Sequence, residues 1–480
     1  MPFAIGGNQL DTGYQVDNSL RLNDDDQAHL TRTNSSAGNQ KTMTWSFWVK
    51  RSTIAQDFAG GPLFGCGTVD GDEFTWSFRS NAIYLRWKAT NGTSGDFTTT
   101  QKLRDCSAWY HIMLALDSTQ GTNTNRVKFY LNGNQITNFN ESNYPAQNID
   151  FKTNGTVEQS IGEFPRTSGT LDGYLTEYYF IDGSQKQPSD FGEFNDNGVW
   201  IPKAYEGTFG SNGYYLDFED ASNFGKDVSG NSNNWSPQNF TATDLTTDTC
   251  TNNFNTLNPL VPHHTIFNDT TEGNTGLSSS GVQLRGGHFG TTIMPSNGKW
   301  YFEVKILSTG SSDRTGLSIA NFESVVGDDH IEGGDFKGFT ISTGTLGRIF
   351  VTDGSSTAET DISGYQFFDD DIGIFAVDMD ATTPRVYAGK NGTWFTTSAA
   401  SGGNPATNTG FFEVKLGNHF SVGARHSAGT STSQSYLFNF GQPAFTISSG
   451  NSDSEGYGNF EFAVPSGYFA INTKNLSEYG

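Results

Sequence analysis

The sequence predicts an all-β protein made of two antiparallel β-sandwich (jelly-roll-like) domains joined by an Asn/Ser/Thr-rich linker. Three observations carry this reading. Apolar residues recur with a period of two nearly everywhere, which is the spacing of a strand with one buried face. Glycine (57 residues), with Ser, Thr and Asn, punctuates the short apolar runs and leaves no helix of ordinary length uninterrupted. The 480 residues exceed what one hydrophobic core organises, so two large domains are expected.

Taken in order along the chain, Met43, Trp45, Phe47 and Val49 alternate with Thr44, Ser46, Trp48 and Lys50, the pattern of a half-buried strand. The same parity recurs at Tyr110, Ile112, Leu114 and Leu116, at Val127, Phe129 and Leu131, at Trp300, Phe302, Val304 and Ile306, and at Phe412, Val414 and Leu416. Antiparallel sheets with one wet face follow. Asn132-Gly133 and Asn391-Gly392 stand where type I′ hairpin turns need positive φ at both central residues. Helix is expected only as short turns such as Pro188 to Phe194. With 34% hydrophobic residues but 39 Phe and 18 Tyr, aromatic rings must fill the cores. A stretch from Asp220 to Leu260, poor in periodic apolar residues, separates the strand-rich halves. The expected organisation is an N-terminal arm (1–18), a first sandwich (19–218), a linker (219–249), a second sandwich (250–445) and a C-terminal segment (446–480).

A formal charge of −23, with only 28 Lys and Arg spread along the chain, argues against a nucleic-acid partner, whose phosphates demand clustered cations. No run of about 18 apolar residues is present to span a bilayer. Met1 to Gly7 has neither the basic nor the apolar region of a signal peptide, so synthesis in a cytoplasm without membrane insertion is expected. Cys66, Cys106 and Cys250 are too few and scattered for a disulfide framework and are read as reduced.

The first half resembles concanavalin A-like, laminin-G-like lectin domains. The matching pieces are Ser19-Leu20-Arg21-Leu22-Asn23, Trp45 to Arg51, Trp109-Tyr110-His111, Phe129 to Gly133 and Leu171 to Leu175, in that order. The second half is similar to SPRY domains in Gly298 to Val304, Asp371-Ile372-Gly373 and Lys390 to Phe395. Together with Ala463-Val464-Pro465-Ser466-Gly467-Tyr468, the pairing resembles virion proteins of marine phages, tail fibres among them. The resemblance implies a binding scaffold and not, by itself, catalysis.

Asp217 and Glu219 have the alternate spacing that carbohydrate-cleaving relatives of the concanavalin A sandwich use for acid and nucleophile. The third carboxylate of that pattern is missing, because Ala221 takes its place, and a solvated strand end is the favoured reading. The run Asp227-Val228-Ser229-Gly230-Asn231-Ser232-Asn233-Asn234 resembles Asp-x-Ser-Gly-Asn loops of laminin-G-like domains, some of which hold calcium. Asp217, Asp227 and Asn231 are the calcium candidates, set against an Asx-rich turn that satisfies its own backbone. No cofactor is required. His263-His264 is read as loop surface, and Asp24 to Asp26 and Asp369 to Asp371 as solvated turns.

The expected function is non-enzymatic: a fibre or spike adhesin on a virion surface, binding host-surface carbohydrate without cleaving it. The alternative is a head-decoration or tail-assembly protein that binds only viral structural proteins. A homo-oligomer, taken as a trimer, is expected because weak lectin-like sites gain avidity when several act together.

Overall fold

The computed structural model describes residues 13–54, 61–67, 74–164, 169–260, 267–279, 286–309, 316–321, 337–343, 347–361, 363–417, 419–426 and 433–480. His263-His264 and residues 1–12 lie outside them. The chain divides into one unit of Asn8–Asn253 and a second that contains Phe254–Gly480.

Among the described residues the first unit holds two eight-stranded sheets, with every strand pairing antiparallel. One sheet centres on Thr42–Arg51, flanked by Trp109–Asp117 and Gly173–Asp182, and ends on Leu245–Thr246. The other runs from Phe139–Ser142 through Phe74–Arg79 to Ser236–Gln238. The predicted alternation places Trp45, Phe47 and Val49 in the core between the sheets. There Trp45 meets Phe64 at 5.0 Å and Phe47 meets Trp76 at 4.9 Å between ring centroids. Asn132 (φ 46°) and Gly133 (φ 76°) form the expected hairpin turn. Glycine is needed there twice over, because a Cβ on Gly133 would lie 2.3 Å from the Trp200 ring.

The expected wet face of the central strand is buried as well. Trp48 joins Val16, Trp109, Tyr174, Trp200 and Cys250 in a second apolar cluster, and Met113, Tyr130, Tyr179, Ile181 and Phe191 form a third. These residues come from the chain just before the first strand, from the hairpin Gly192–Phe194/Trp200–Pro202, and from the end of the unit. Alternation reports which face a side chain takes, and is silent on what later covers that face. The polar residues of the strand are consequently paired inside the protein. Ser46 Oγ lies 2.8 Å from His111 Nε2, and burial pushes the imidazole down to about 3, so it is neutral at ordinary pH. Lys50 Nζ donates to Asp248 at 2.8 Å and to Asn253 Oδ1 at 2.7 Å, and both charged side chains are fully buried.

Residues 219–249 are not a linker. Trp235 is buried in the main core, Ser236–Gln238 pairs with His29–Thr33, and Leu245–Thr246 pairs with Ser19–Leu22. The segment is polar because it lies at sheet edges, where loops and side chains close its hydrogen bonds. The end of the expected arm is likewise anchored, with Val16 N donating to Thr251 Oγ1 at 3.1 Å. The helical turn expected at Pro188 covers only Pro188–Asp190 before strand Gly192–Phe194 begins.

Among the described residues the second unit packs a nine-stranded sheet and a six-stranded sheet around Trp300, Phe302, Phe339, Phe375 and Phe412. Asn391 (φ 49°) and Gly392 (φ 79°) make its predicted turn. Residues 446–480 are part of this unit and not a separate segment. Phe469–Ala470 pairs in parallel with Trp300 and Tyr301, and helix Thr473–Tyr479 follows. The buried Glu303 carboxylate accepts the Tyr301 hydroxyl, Asn439 Nδ2 and the backbone N–H groups of Glu461 and Phe462, all within 3.2 Å. Asp453 Oδ2 accepts Ala470 N and Asn475 Nδ2.

Replacing Asp248 tests the buried pair directly. Asp248→Ala leaves the Lys50 ammonium buried without this counter-charge and should cost about 3–5 kcal/mol. Urea denaturation should show the loss, and a change under about 1 kcal/mol would mean that water reaches Lys50.

Candidate functional site

The strand Tyr214–Leu216 at the edge of the central sheet is flanked by two polar loops, 207–213 before it and 227–234 after it. Asp227 organises the second. Its Oδ1 accepts Tyr215 N (3.0 Å) and Ser229 N (2.9 Å), its Oδ2 accepts Asn233 N (2.7 Å), and its own N–H donates to Asn234 Oδ1 (2.9 Å). Two amides then staple this loop to the first. Asn231 Nδ2 donates to the carbonyls of Gly210 (2.7 Å) and Gly213 (2.9 Å), and Asn233 Nδ2 to those of Ser211 (3.0 Å) and Gly213 (2.9 Å). Such close approach requires glycine: a Cβ on Gly210 (φ 77°) would sit 2.1 Å from the Asp182 carbonyl oxygen. The Asp182 side chain supports the arrangement from below, accepting Asn39 N, Asn154 Nδ2 and Asn212 N.

Between the loops lies an open depression of about 530 Å³, lined by Gly207 to Ser211, Ser229 and Asn231. Its wall carries the half-buried Phe209 ring, which packs edge-on against Tyr205 at 5.2 Å. The Thr208 and Ser211 side chains are exposed. The arrangement is a rigid, shallow surface that offers hydroxyls, an amide and an aromatic edge, and no charged side chain lines it.

Two of the three calcium candidates therefore fall together, in a different role. The Asp227 carboxylate is engaged by three backbone N–H groups, and Asn231 turns its N–H₂ to the loop carbonyls, as in the self-satisfied Asx turn. Asp217 lies elsewhere, with Oδ1 accepting Glu219 N at 3.2 Å. Among the described residues no group of three or more His, Cys, Asp or Glu side chains could hold a metal.

The carboxylate pair Asp217 and Glu219 is not on one strand face. The strand ends at Leu216, and Phe218 adopts φ 58°, which breaks the alternation. Burial raises both carboxyls, with the Asp217 charge adding to the effect on Glu219. Even so, Asp217 is half-buried and Glu219 exposed at a turn, and no third carboxylate stands at Ala221.

The family model of the concanavalin A-like lectin/glucanases superfamily matches residues 23–187. The first unit has a concanavalin A-like, laminin-G-type sandwich fold. The depression lies just beyond the matched residues, on loops that fold onto the concanavalin A-like sheets. Among solved structures, domains LG4-5 of the mouse laminin alpha1 chain align at 10% identity over 94% of this chain and 88% of theirs, with a TM-score of 0.29. The SPRY domain of human HERC1 aligns at 11% identity over 38% of this chain and 96% of its own, with a TM-score of 0.26. The CBM40 of a Ruminococcus gnavus IT-sialidase, solved bound to alpha2,3 sialyllactose, aligns at 9% identity over 39% and 97%, with a TM-score of 0.22. Curated protein sequences give no match.

The concanavalin A-like unit also holds a carboxylate that sequence reading missed. Glu177, 4% exposed, sits in a bulge of strand Gly173–Asp182 with φ 53°. Its Oε1 accepts Tyr215 Oη at 2.6 Å, and its Oε2 accepts Tyr14 Oη at 2.9 Å and Tyr179 Oη at 2.5 Å. Burial raises the Glu177 carboxyl despite these donors, and burial beside Glu177 pushes the Tyr14 phenol up to about 12. The cluster ties Tyr14 to the sheet. No local pattern announces it, since its members are up to 201 residues apart.

Two outcomes follow. A raised carboxyl pKa stabilises the fold fully below the ordinary Glu value, and that stability is lost as pH rises through the folded value. Glu177→Gln, which carries no charge, should therefore gain melting temperature relative to the parent as pH rises from acid to neutral. A pH-independent difference would contradict the assignment. For the loop, Asp227→Ala removes the two oxygens that accept three backbone N–H groups and should cost roughly 3 kcal/mol, whereas calcium or a chelator should leave the parent's thermal melting curve unchanged.

Proposed function

We propose that this chain is a non-catalytic, carbohydrate-binding protein of a phage virion surface, acting as a fibre or spike adhesin. The observation that carries the proposal is the stapled depression between loops 207–213 and 227–234. Hydroxyls, an amide oxygen and an aromatic edge, fixed on a sandwich, are the groups that meet a sugar's hydroxyls and its apolar ring face. The lectin-type match over residues 23–187 supports the same reading. The superfamily includes glucanases, but glycosidic cleavage calls for two carboxylates that flank one bond. Asp217 and Glu219, at a turn, do not form such a pair on one strand face. The virion assignment is supported by the pairing of a lectin-like with a SPRY-like module. Shallow polar sites bind weakly, roughly in the millimolar to micromolar range, because the gain is offset by desolvating hydroxyls. A homo-oligomer, taken as a trimer, would raise that affinity through avidity.

A second reading, a head-decoration or tail-assembly protein that binds viral proteins only, draws on Phe368 (60% exposed) and Leu307 (42% exposed) in the second unit. Adsorption separates the two. Excess purified protein should slow attachment of the phage to its host, and Ser211→Trp, which fills the depression, should lose the effect at unchanged thermal stability. Unaltered adsorption, with labelled protein found on capsid faces or at an internal tail joint, would move the assignment to the second reading. Release of reducing ends from host polysaccharide, abolished by Glu219→Gln, would overturn the non-catalytic part.

A further inference from the structure

The hydrogen-bond inventory of the depression narrows the ligand class, on the premise that this depression is the carbohydrate site. We infer that it selects neutral, hydroxyl-rich saccharides and discriminates against acidic ones such as uronate-bearing or sulfated chains.

Carboxylate and sulfate groups are recognised by cations and by N–H groups aimed outward, as in a bidentate guanidinium. Among the described residues no Lys, Arg or His lines the depression. The nearby amide N–H₂ groups are already spent, Asn231 on Gly210 and Gly213, and Asn233 on Ser211 and Gly213. The cation behind the loop, Arg32, is turned inward. Its Nη2 donates to Asn233 Oδ1 at 2.5 Å and its Nη1 reaches the Asn212 carbonyl at 3.5 Å, with the ring of Tyr214 5.9 Å away. The hydroxyls of Thr208 and Ser211, the O–H of Ser229 (whose oxygen already accepts Asn231 N at 3.3 Å) and the Oδ1 of Asn231 remain to face a ligand. A hydroxyl both donates and accepts, and an amide oxygen accepts only. These side chains pair with sugar hydroxyls in either direction, but they offer an anion only neutral hydroxyl donors beside a repelling carbonyl oxygen. The surrounding field acts in the same sense, since a chain of formal charge −23 repels polyanions before contact.

The test is titration calorimetry of the full chain with matched neutral and acidic oligosaccharides. Manno-, cello- and malto-hexaose serve as the neutral set, and oligogalacturonate and alginate oligomers as the acidic set. Binding should be confined to members of the neutral set, should be unchanged between low and high salt, and should be lost in Ser211→Trp. Thr208→Lys places an ammonium at the rim, on a side chain with no structural hydrogen bond to lose. It should raise affinity for the acidic set about tenfold, in a salt-dependent way. If acidic oligomers bind the parent protein as well as neutral ones and Ser211→Trp abolishes both, the selectivity is wrong and the carbohydrate site stands. If neutral oligomers bind but Ser211→Trp leaves them untouched, the site is elsewhere and this inference falls with its premise. If neither set binds, both readings fail.

Discussion

Burial of both faces of strand Thr42–Arg51 obliges every polar side chain on it to find a partner inside the protein, and much of the first unit is arranged around that obligation. An isolated ammonium in such a place would be prohibitively costly. Lys50 is accommodated because Asp248 and Asn253, about two hundred residues further on, return to it, and Trp109 Nε1 donates to the other Asp248 oxygen at 3.1 Å. The end of the unit must therefore fold back over the central sheet. That same return brings Thr249 and Thr251 to Val16 and closes the cover over Trp48 and Tyr174.

Acidic residues do a related job elsewhere. With 51 Asp and Glu against 28 Lys and Arg, nearly half of the carboxylates cannot each have a cation of their own. Several of the buried ones, unlike Asp248, take hydrogen bonds from amide and hydroxyl donors instead. Glu177 gathers three tyrosines, Asp182 and Asp227 gather loop amides, Glu303 ties residues 446–480 to the second sandwich, and Asp453 holds that segment together internally. Where burial is deep, as at Glu177 and Glu303, the carboxyl rises above its ordinary range in spite of its donors. Charge-assisted hydrogen bonds of this kind are stronger than neutral ones and fix geometry closely. They explain how a chain with so few aliphatic residues holds long loops still.

The depression on the first unit is a product of the same economy of donors. The amides that rigidify loops 207–213 and 227–234 are consumed in doing so, and what is left to face solvent is neutral and rich in hydroxyls. Rigidity and ligand chemistry are thus set by one group of hydrogen bonds. A mutation that loosens the staple would alter both the shape of the surface and the donors it presents, so tests of binding rest on residues at the rim, not on Asn231 or Asn233.

The strand parity of Trp45, Phe47 and Val49, the two Asn-Gly turns and the all-β class were legible in the sequence, because each depends on residues within a few positions of one another. The Asp227 to Asn234 run was legible as a self-bonding turn for the same reason, and Asn231 was singled out, though for metal ligation and not as a clamp. What only tertiary structure decided was everything that joins distant residues. Lys50 with Asp248, Glu177 with Tyr14 and Tyr215, and the return of residues 219–249 and 446–480 onto the sheets all belong here. A polar segment reads alike whether it is a free linker or an edge closed by side chains. Alternation records on which side of a strand a residue lies, but the partner waiting on that side is chosen only when the sheets close.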